Sequence, residues 1–294
     1  MKRVGIFVAV RWRGAEELVG SLRAALTKAG VDVWQTSTWD DPSARGMIEG
    51  TELIICLGGD GSMLWAARAV VPHAVPILGV NMGRLGFLAE LGPAELLERL
   101  PAVLSGEGRT EERAMLQVQV PVWGQTFQAL NDAVLSRSVA GRPVYLDVAI
   151  DGQRLAVYRS DAVIVATATG STGYSLSAGG PILHPESRNL VLTPVAPHIV
   201  SSRPLVLPED AVVDMVVSAD DGATVSVDGQ VNRPLDSGDS ISVCRSAQVA
   251  RFLRLSEPSH YYEILGERLD WLRGINPAAF PELFEQRSSD SSGD

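Results

Sequence analysis

The sequence predicts an α/β chain in two parts, a doubly wound parallel-sheet domain followed by a mainly antiparallel β-sandwich domain. Three observations carry that expectation. Up to residue 108, short apolar runs alternate with segments whose apolar residues recur at helical spacing. Beyond Gly108 the apolar period drops to two, as in Leu116, Val118, Val120 and Val122, and again in Val144, Leu146, Val148 and Ile150. Finally, Asp151-Gly152 sits between two such runs, a two-residue hairpin signal. The seam is therefore placed at 108, giving an α/β domain over 1–108 and a β-sandwich over 109–258. A helical segment over 259–286 is expected to return to the first domain, and the Ser- and Asp-rich end, 287–294, reads as a disordered tail.

Taken in order, Val4 to Val10 reads as the first strand and Glu16 to Ala29 as a helix with Leu18, Leu22, Ala25, Leu26 and Ala29 on one face, stopped by Gly30. Val31–Trp34, Leu53–Leu57 and Val75–Val80 continue the strands. Pro93 opens a Leu-rich helix over 94–104, which Pro101 is expected to bend or interrupt. In the second half, strands are expected at Gln153–Tyr158, Ala162–Val165, Val212–Val217, Thr224–Val227, Ser240–Cys244 and Val249–Leu255. After Pro258, Ser259 fits an N-cap, and Tyr262, Leu265, Leu269 and Leu272 form a helical stripe.

Composition narrows the function classes. The 294 residues are 46% apolar and 20% charged, which suits a soluble globular protein with a large core. Lys and Arg number 25 against 35 for Asp and Glu, and the net charge of -10 argues against general affinity for nucleic acid or an anionic membrane. The N-terminal apolar run is too short for a signal peptide and no run is long enough to span a bilayer, so a cytoplasmic location is expected. Cys56 and Cys244 have neither metal-ligand nor redox spacing and read as small hydrophobes. His73, His184, His198 and His260 show no paired metal spacing, and Gly170-Ser171-Thr172-Gly173 is not a nucleophile elbow.

The run Gly58-Gly59-Asp60-Gly61-Ser62 follows the apolar strand Leu53–Leu57 and precedes the helix-forming Met63-Leu64-Trp65-Ala66-Ala67-Arg68. Gly-Asp-Gly is also ordinary turn chemistry. At the carboxyl end of a parallel strand, however, glycines at 58, 59 and 61 let amide groups approach an oxygen-rich ligand, and Ser62 adds a hydroxyl. Phosphate is the natural candidate. A carboxylate repels phosphate, so Asp60 calls for a second task, holding a cation or taking a proton from a hydroxyl. A second glycine-punctuated loop, Asn81 to Leu88, leaves the next strand and should lie beside the first, with Arg84 able to meet phosphate or solvent.

A third element, Thr169 to Pro181, crowds small hydroxyl residues and glycines at a strand-to-helix junction, a composition that does little for a core. Its hydroxyls and amides could hold ring edges and ribose oxygens, and Tyr174 an aromatic face.

The Gly58–Ser62 run resembles the GGDG motif common to NAD kinases, lipid kinases and 6-phosphofructokinases. Thr169 to Pro181 is similar to the TPTGSTAYSLSAGGP signature of NAD kinases alone. Asn81 to Leu88 resembles that family's NxGxLGFL run, Asn131-Asp132 its Asn-Glu pair, Arg203 to Leu207 its RPLVLP run and Val227 to Gln230 its VDGQ turn. The sequence departs from the pattern at Ser62 for Thr, Asp132 for Glu, Ala168 for Pro, Gly173 for Ala and Ala162 for Gly.

The resemblance implies a phosphotransferase that moves a phosphoryl group from ATP or polyphosphate to the 2′-hydroxyl of the adenosine ribose of NAD, giving NADP. Asp60 is implied as the general base, with Gly61 beside the dinucleotide and Asn131 and Asp132 on its adenosine part. Asp161 and the loop Thr172, Gly173, Tyr174, Ser175, Leu176 and Ser177 are implied to line the site, with Arg142, Arg159 and Gln230 as lesser candidates and each arginine also readable as a surface charge. A divalent metal, Mg²⁺, is implied with the donor's phosphates and without a direct protein ligand set. NAD and ATP are the implied partners, and a homodimer or homotetramer the implied assembly. A lipid or sugar kinase, or a non-catalytic dinucleotide sensor, are the competing readings. The acidic balance stands against a lipid substrate, and Asp60 stands against a sensor.

Overall fold

Why the loops converge follows from how the strands pair. The computed structural model describes residues 1–8, 15–37, 46–73, 75–83, 86–198, 202–218 and 221–269. Its first strands are β1 (Arg3–Val8), β2 (Asp32–Thr36), β3 (Leu53–Gly58) and β4 (Ile77–Asn81), and they pair in parallel in the order β2-β1-β3-β4. β3 is buried along all six residues, as a strand covered on both faces must be. One face is covered by α1 (Ala15–Lys28) and α3 (Pro93–Leu104), which pack Val19, Leu22, Leu26, Leu96, Leu100 and Val103 onto Ile6, Leu53, Ile55 and Val80. On the other lies α2 (Asp60–Val70), whose Met63, Ala66, Ala67 and Val70 meet Phe7, Ile54, Cys56 and Ile77. Ala9 and Val10, counted above with the first strand, lie outside the described residues.

The second half contributes β5 (Arg109–Val120), β6 (Gln125–Ala129), β7 (Asp132–Arg137), β8 (Val144–Ile150), β9 (Gln153–Ser160), β10 (Ala162–Ala166), β11 (Leu190–Val195), β12 (Leu205–Leu207), β13 (Val212–Val217), β14 (Ala223–Val227), β15 (Val231–Leu235) and β16 (Ser240–Arg254). A six-stranded antiparallel sheet runs β12-β11-β10-β7-β14-β15. It packs against β5, β8, β13 and β16 through Leu116, Val118, Leu135, Leu146, Val148, Val163, Val165, Val213, Met215, Val225 and Val243, the sandwich core.

These latter strands do not form a separate sheet. β16 pairs antiparallel with β5 along one edge, from Ser242 opposite Gln119 to Arg254 opposite Arg109. On its other edge it pairs antiparallel with β13 near its start and parallel with β4 near its end, Phe252 opposite Ile77. The parallel and antiparallel strands thus belong to one ten-stranded sheet.

Local chemistry explains where this differs from expectation. Ser240–Cys244 and Val249–Leu255 are one strand, because the polar stretch between them is a bulge in the register from Arg245 to Val249, with Gln248 N–H donating to Ser246 Oγ. α3 continues through Pro101, since buried Leu96, Leu100 and Val103 hold both of its ends to the sheet and Pro101 still accepts from Ser105 N–H. The Asp151-Gly152 hairpin forms as the sequence predicts, with φ of 51° and 75° at the two turn residues. Cys56 is buried, and burial pushes its thiol up to about 12, so it stays protonated and inert, whereas Cys244 is half-buried.

A separate unit begins at Ser256, and its described residues hold α5 (His260–Arg268), with Ser259 at the N-cap position. Of the expected segment 259–286, residues from 270 onward lie outside the described residues, as does the tail 287–294.

Packing sets the scale of one prediction. Ile55→Ala in the centre of the sheet should cost roughly 2–5 kcal/mol in denaturant unfolding. Val157→Ala on the exposed outer face of β9, 38% accessible, should cost less than about 1 kcal/mol. Equal losses would mean that β3 is not the covered centre.

Candidate active site

In the β3–β4 ladder Gly58 pairs with Asn81, so the two strands deliver their loops side by side. β3 ends at Gly58, Gly59 is the extended N-cap of α2, and Asp60 is the first helical residue. As at any helix start, the first amides lack an i−4 carbonyl and favour negative charge. A Cβ added at Gly59 or Gly61 would meet nothing within 4 Å, so both face open space.

The Asp60 carboxylate turns toward the neighbouring loop. Oδ2 accepts from Phe87 N–H at 2.9 Å and Oδ1 from Leu88 N–H at 3.2 Å. Gly86 is obligatory for this contact, since a Cβ there would lie 1.8 Å from Asp60 Oδ1. Asn81 closes the start of that loop on itself, its Oδ1 accepting from Gly83 N–H and its Nδ2 donating to Gly83 O. Arg84 lies outside the described residues.

The second sheet supplies the facing elements. β10 empties into the Thr169–Ser177 loop, a 3₁₀ turn over Gly170–Thr172 followed by the short helix α4 (Tyr174–Ser177). The loop presses on Asn131: a Cβ at Gly170 would lie 2.0 Å from Asn131 O, and one at Gly173 3.7 Å from Asn131 Nδ2. Thr172 Oγ1 donates to Thr169 O, leaving its lone pairs for a ligand, while Ser175 Oγ pairs with Thr193 Oγ1 inside the protein. Tyr174 is 46% exposed, an open ring beside these groups. From the β14–β15 turn, Gln230 Nε2 donates to Gly61 O at 3.4 Å, so this turn touches the first turn of α2.

Asn131 and Asp132 are held by a residue that the sequence reading quotes only as part of a turn. Asp228, buried and with φ of 51°, accepts from the N–H groups of Leu130, Asn131 and Asp132 at 2.8 to 3.1 Å. Burial raises its carboxyl, and the three amides together with the Arg68 charge oppose that rise. Next to it, Asp132 is pushed up to about 7, first by burial and then by the negative charge of Asp228.

Other sequence candidates make contacts of their own. Asp161 forms an ion pair with Arg137 at 2.7 Å. Arg159 lies on β9 with its guanidinium 5.8 Å from the Tyr145 ring centre. Arg142 is exposed and makes two hydrogen bonds to Asp221. In α4 Leu176 is half-buried and Ser177 is exposed. Ala196, which follows β11, has φ of 45°, a strained conformation of the kind that clusters at ligand sites, and no residue type announces it in the sequence. Among the described residues no group of three or more His, Cys, Asp or Glu is arranged to hold a metal ion.

The raised Asp132 carboxyl makes stability depend on pH. Its folded value, about 7, exceeds the unfolded value of about 3.9, so the folded protein retains a proton that the unfolded chain has lost. That contribution is complete below the unfolded value and disappears as pH rises through 7. The melting temperature should therefore fall from pH 5.5 to pH 8, and Asp132→Asn should flatten that fall by a few degrees in calorimetry. An unchanged pH slope in the variant would contradict the assignment.

Comparison with known proteins identifies the family. Residues 1–108 match the family model described as ATP-NAD kinase N-terminal domain, and residues 130–255 the ATP-NAD kinase C-terminal domain. The chain is 38% identical over 283 residues to the NAD kinase of Dehalococcoides mccartyi strain CBDB1, covering 95% of this chain and 99% of that one. It is 44% identical over 226 residues to the NAD kinase of Chloroflexus aurantiacus strain J-10-fl, covering 76% and 82%. Among solved structures, yeast NADH kinase complexed with NADH superposes with a TM-score of 0.77 at 25% identity, over 100% of this chain and 90% of that one. An Archaeoglobus fulgidus NAD kinase in complex with ATP superposes with a TM-score of 0.74 at 26% identity, over 90% and 97%. With both family models in chain order and these identities over most of its length, the chain belongs to the NAD kinase family.

Proposed function

We propose that the chain transfers the terminal phosphoryl group of ATP to the 2′-hydroxyl of the adenosine ribose of NAD, giving NADP, with Asp60 as the general base. The observation that carries the reading is the Asp60 carboxylate, fixed by two amides at the rim of a glycine loop whose Gly59 and Gly61 face open space. In the transfer the ribose oxygen attacks the γ-phosphorus in line, the bond to the β-phosphate oxygen breaks, and the hydroxyl proton passes to Asp60. Amides of the α2 start and of the glycine loop would receive the donor's phosphates. Asn131 and Asp132 would hold the adenosine part, Thr172 and Ser177 would offer hydroxyls, and Tyr174 would lie against a ring. Asp161 and Gln230 would border the dinucleotide, with Arg159 and Arg142 as outer contacts.

A divalent cation, Mg²⁺, would neutralise charge on the transferring phosphoryl group. With no three-residue ligand set among the described residues, its coordination would come from phosphate oxygens and water. Polyphosphate is a second possible donor, and a donor scan distinguishes it from ATP. The Archaeoglobus fulgidus relative in complex with ATP supports ATP as donor, and the yeast relative's complex is with the reduced dinucleotide. No helix among the described residues is long and apolar enough to cross a membrane. We also propose a homodimer or homotetramer, supported by the exposed apolar residues Tyr145, Leu155, Val157 and Val216 on the outer face of β8, β9 and β13.

Two variants test the base. General-base catalysis contributes roughly 10²–10⁴-fold, so Asp60→Asn should lower kcat on that scale while the Kd for NAD, from calorimetric titration, changes only a few-fold. Near-normal turnover would refute the role. Gly86→Ala should act in the same direction, since its methyl group displaces the carboxylate, and should lower kcat by about 10²-fold or more with NAD binding retained.

A further inference from the structure

Behind the Asp60 loop lies a buried ionic cluster that no step above uses. Arg254, at the end of β16, is 5% accessible, Glu111 on β5 is also 5%, and Arg113 is 3%. Glu111 Oε1 accepts from Arg113 Nε at 2.7 Å and from Arg254 Nε at 3.0 Å, so one carboxylate oxygen receives both guanidinium groups. Both guanidiniums also stand over the ring of Phe252, at 5.9 and 5.4 Å from its centre. Arg254 Nη1 reaches further, donating to Leu88 O at 2.9 Å and to Glu90 Oε2 at 3.2 Å. Glu90 Oε1 in turn accepts from Leu255 N–H. Arg113 Nη1 points the other way and donates to Thr169 Oγ1 at 3.2 Å.

The two ends of this cluster fall on the two halves of the site. Leu88 gives its N–H to Asp60 Oδ1 and its carbonyl to Arg254, so the residue is pinned on both sides of its Cα. Thr169 opens the loop that runs to Ser177. We infer that Arg254 is a positioning residue that fixes the Asp60 carboxylate through Leu88, and that Glu111 joins it to Arg113, which fixes the Thr169–Ser177 loop.

Physical chemistry favours this over a purely stabilising role. Desolvating ionised groups costs much of what their attraction returns, so a buried ion network is a poor source of stability. What it does supply is direction, because a guanidinium offers N–H groups in a rigid planar fork. Burial pushes the Glu111 carboxyl upward, but the charges and hydrogen bonds of Arg113 and Arg254 outweigh it and bring the group down to about 2. The hub therefore stays ionised through the working pH range and both arms stay attached.

The Arg254 arm rests on the proposed role of Asp60, and the test separates the two. Arginine-to-lysine changes keep the charge balance and remove the fork. Steady-state kinetics, normalised to NAD-binding sites counted by calorimetry, should show Arg254→Lys lowering kcat by about ten- to a hundredfold, with the KM for NAD within about twofold. Arg113→Lys should do the reverse, raising the KM for NAD by about tenfold at nearly constant kcat. In an Asp60→Asn background, Arg254→Lys should cost nothing further, since it acts through the missing carboxylate. Glu90→Gln, which loosens Arg254 from one side, should repeat the kcat-selective loss and serves if Arg254→Lys does not fold.

The inference is overturned by losses confined to the number of competent sites, with kcat and KM per site unchanged, and equally by an Arg254→Lys loss of the same size with and without Asp60. An inactive Asp60→Asn beside a fully active Arg254→Lys removes the arm and leaves the base in place. An active Asp60→Asn removes the base and the Arg254 arm together.

Discussion

The hydrogen bonds from Phe87 and Leu88 to the Asp60 carboxylate tie together the two loops on which the rest of the site is assembled. They exist because Gly58 and Asn81 are partners in adjacent parallel strands, which sets the starting points of both loops within one ladder spacing of each other. Gly86 then permits a contact that any other residue would obstruct. The carboxylate is consequently held before any ligand arrives, and its orientation needs no reorganisation when a hydroxyl is presented to it. Backbone amides are the donors, so the arrangement depends on the path of the chain more than on the identity of the residues at 87 and 88.

The facing half is built on the same plan with a different acid. Asp228 gathers three successive amides at the entrance to β7 and so places Asn131 and Asp132. Here the acceptor stands outside the proposed chemistry and its geometry is what counts. Putting Asp132 beside it raises a second carboxyl toward neutrality. The site thereby contains one acid in the helix-start cradle and another in a low-dielectric pocket with a like charge, two environments for the same functional group.

Much of this was legible in the sequence. The Leu53–Leu57 run, fully apolar and followed by glycines, reads as a covered strand whose following loop is either an ordinary turn or a ligand loop, and the neighbouring loop at Asn81 followed from strand order. The Asp151-Gly152 turn was equally plain, because few residue pairs adopt two successive positive φ values. Other features left no periodic trace. β7, β11 and β15 are short, and Pro194 in β11 and Pro234 in β15 mask their pattern. The bulge in β16 broke its alternation, so one long strand read as two. Asp228 was visible as a turn former, but its three amide contacts depend on residues almost a hundred positions away. The pairs Arg137–Asp161 and Arg142–Asp221 are likewise non-local, which is why spacing alone could not separate a ligand contact from a surface ion pair.

β16 carries a consequence for motion. It contributes its first residues to the antiparallel strands and its last to the parallel ones, while β5 accompanies it throughout. A jaw-like swing of one half against the other would have to shear this continuous ladder, so motions confined to side chains and loop tips cost far less.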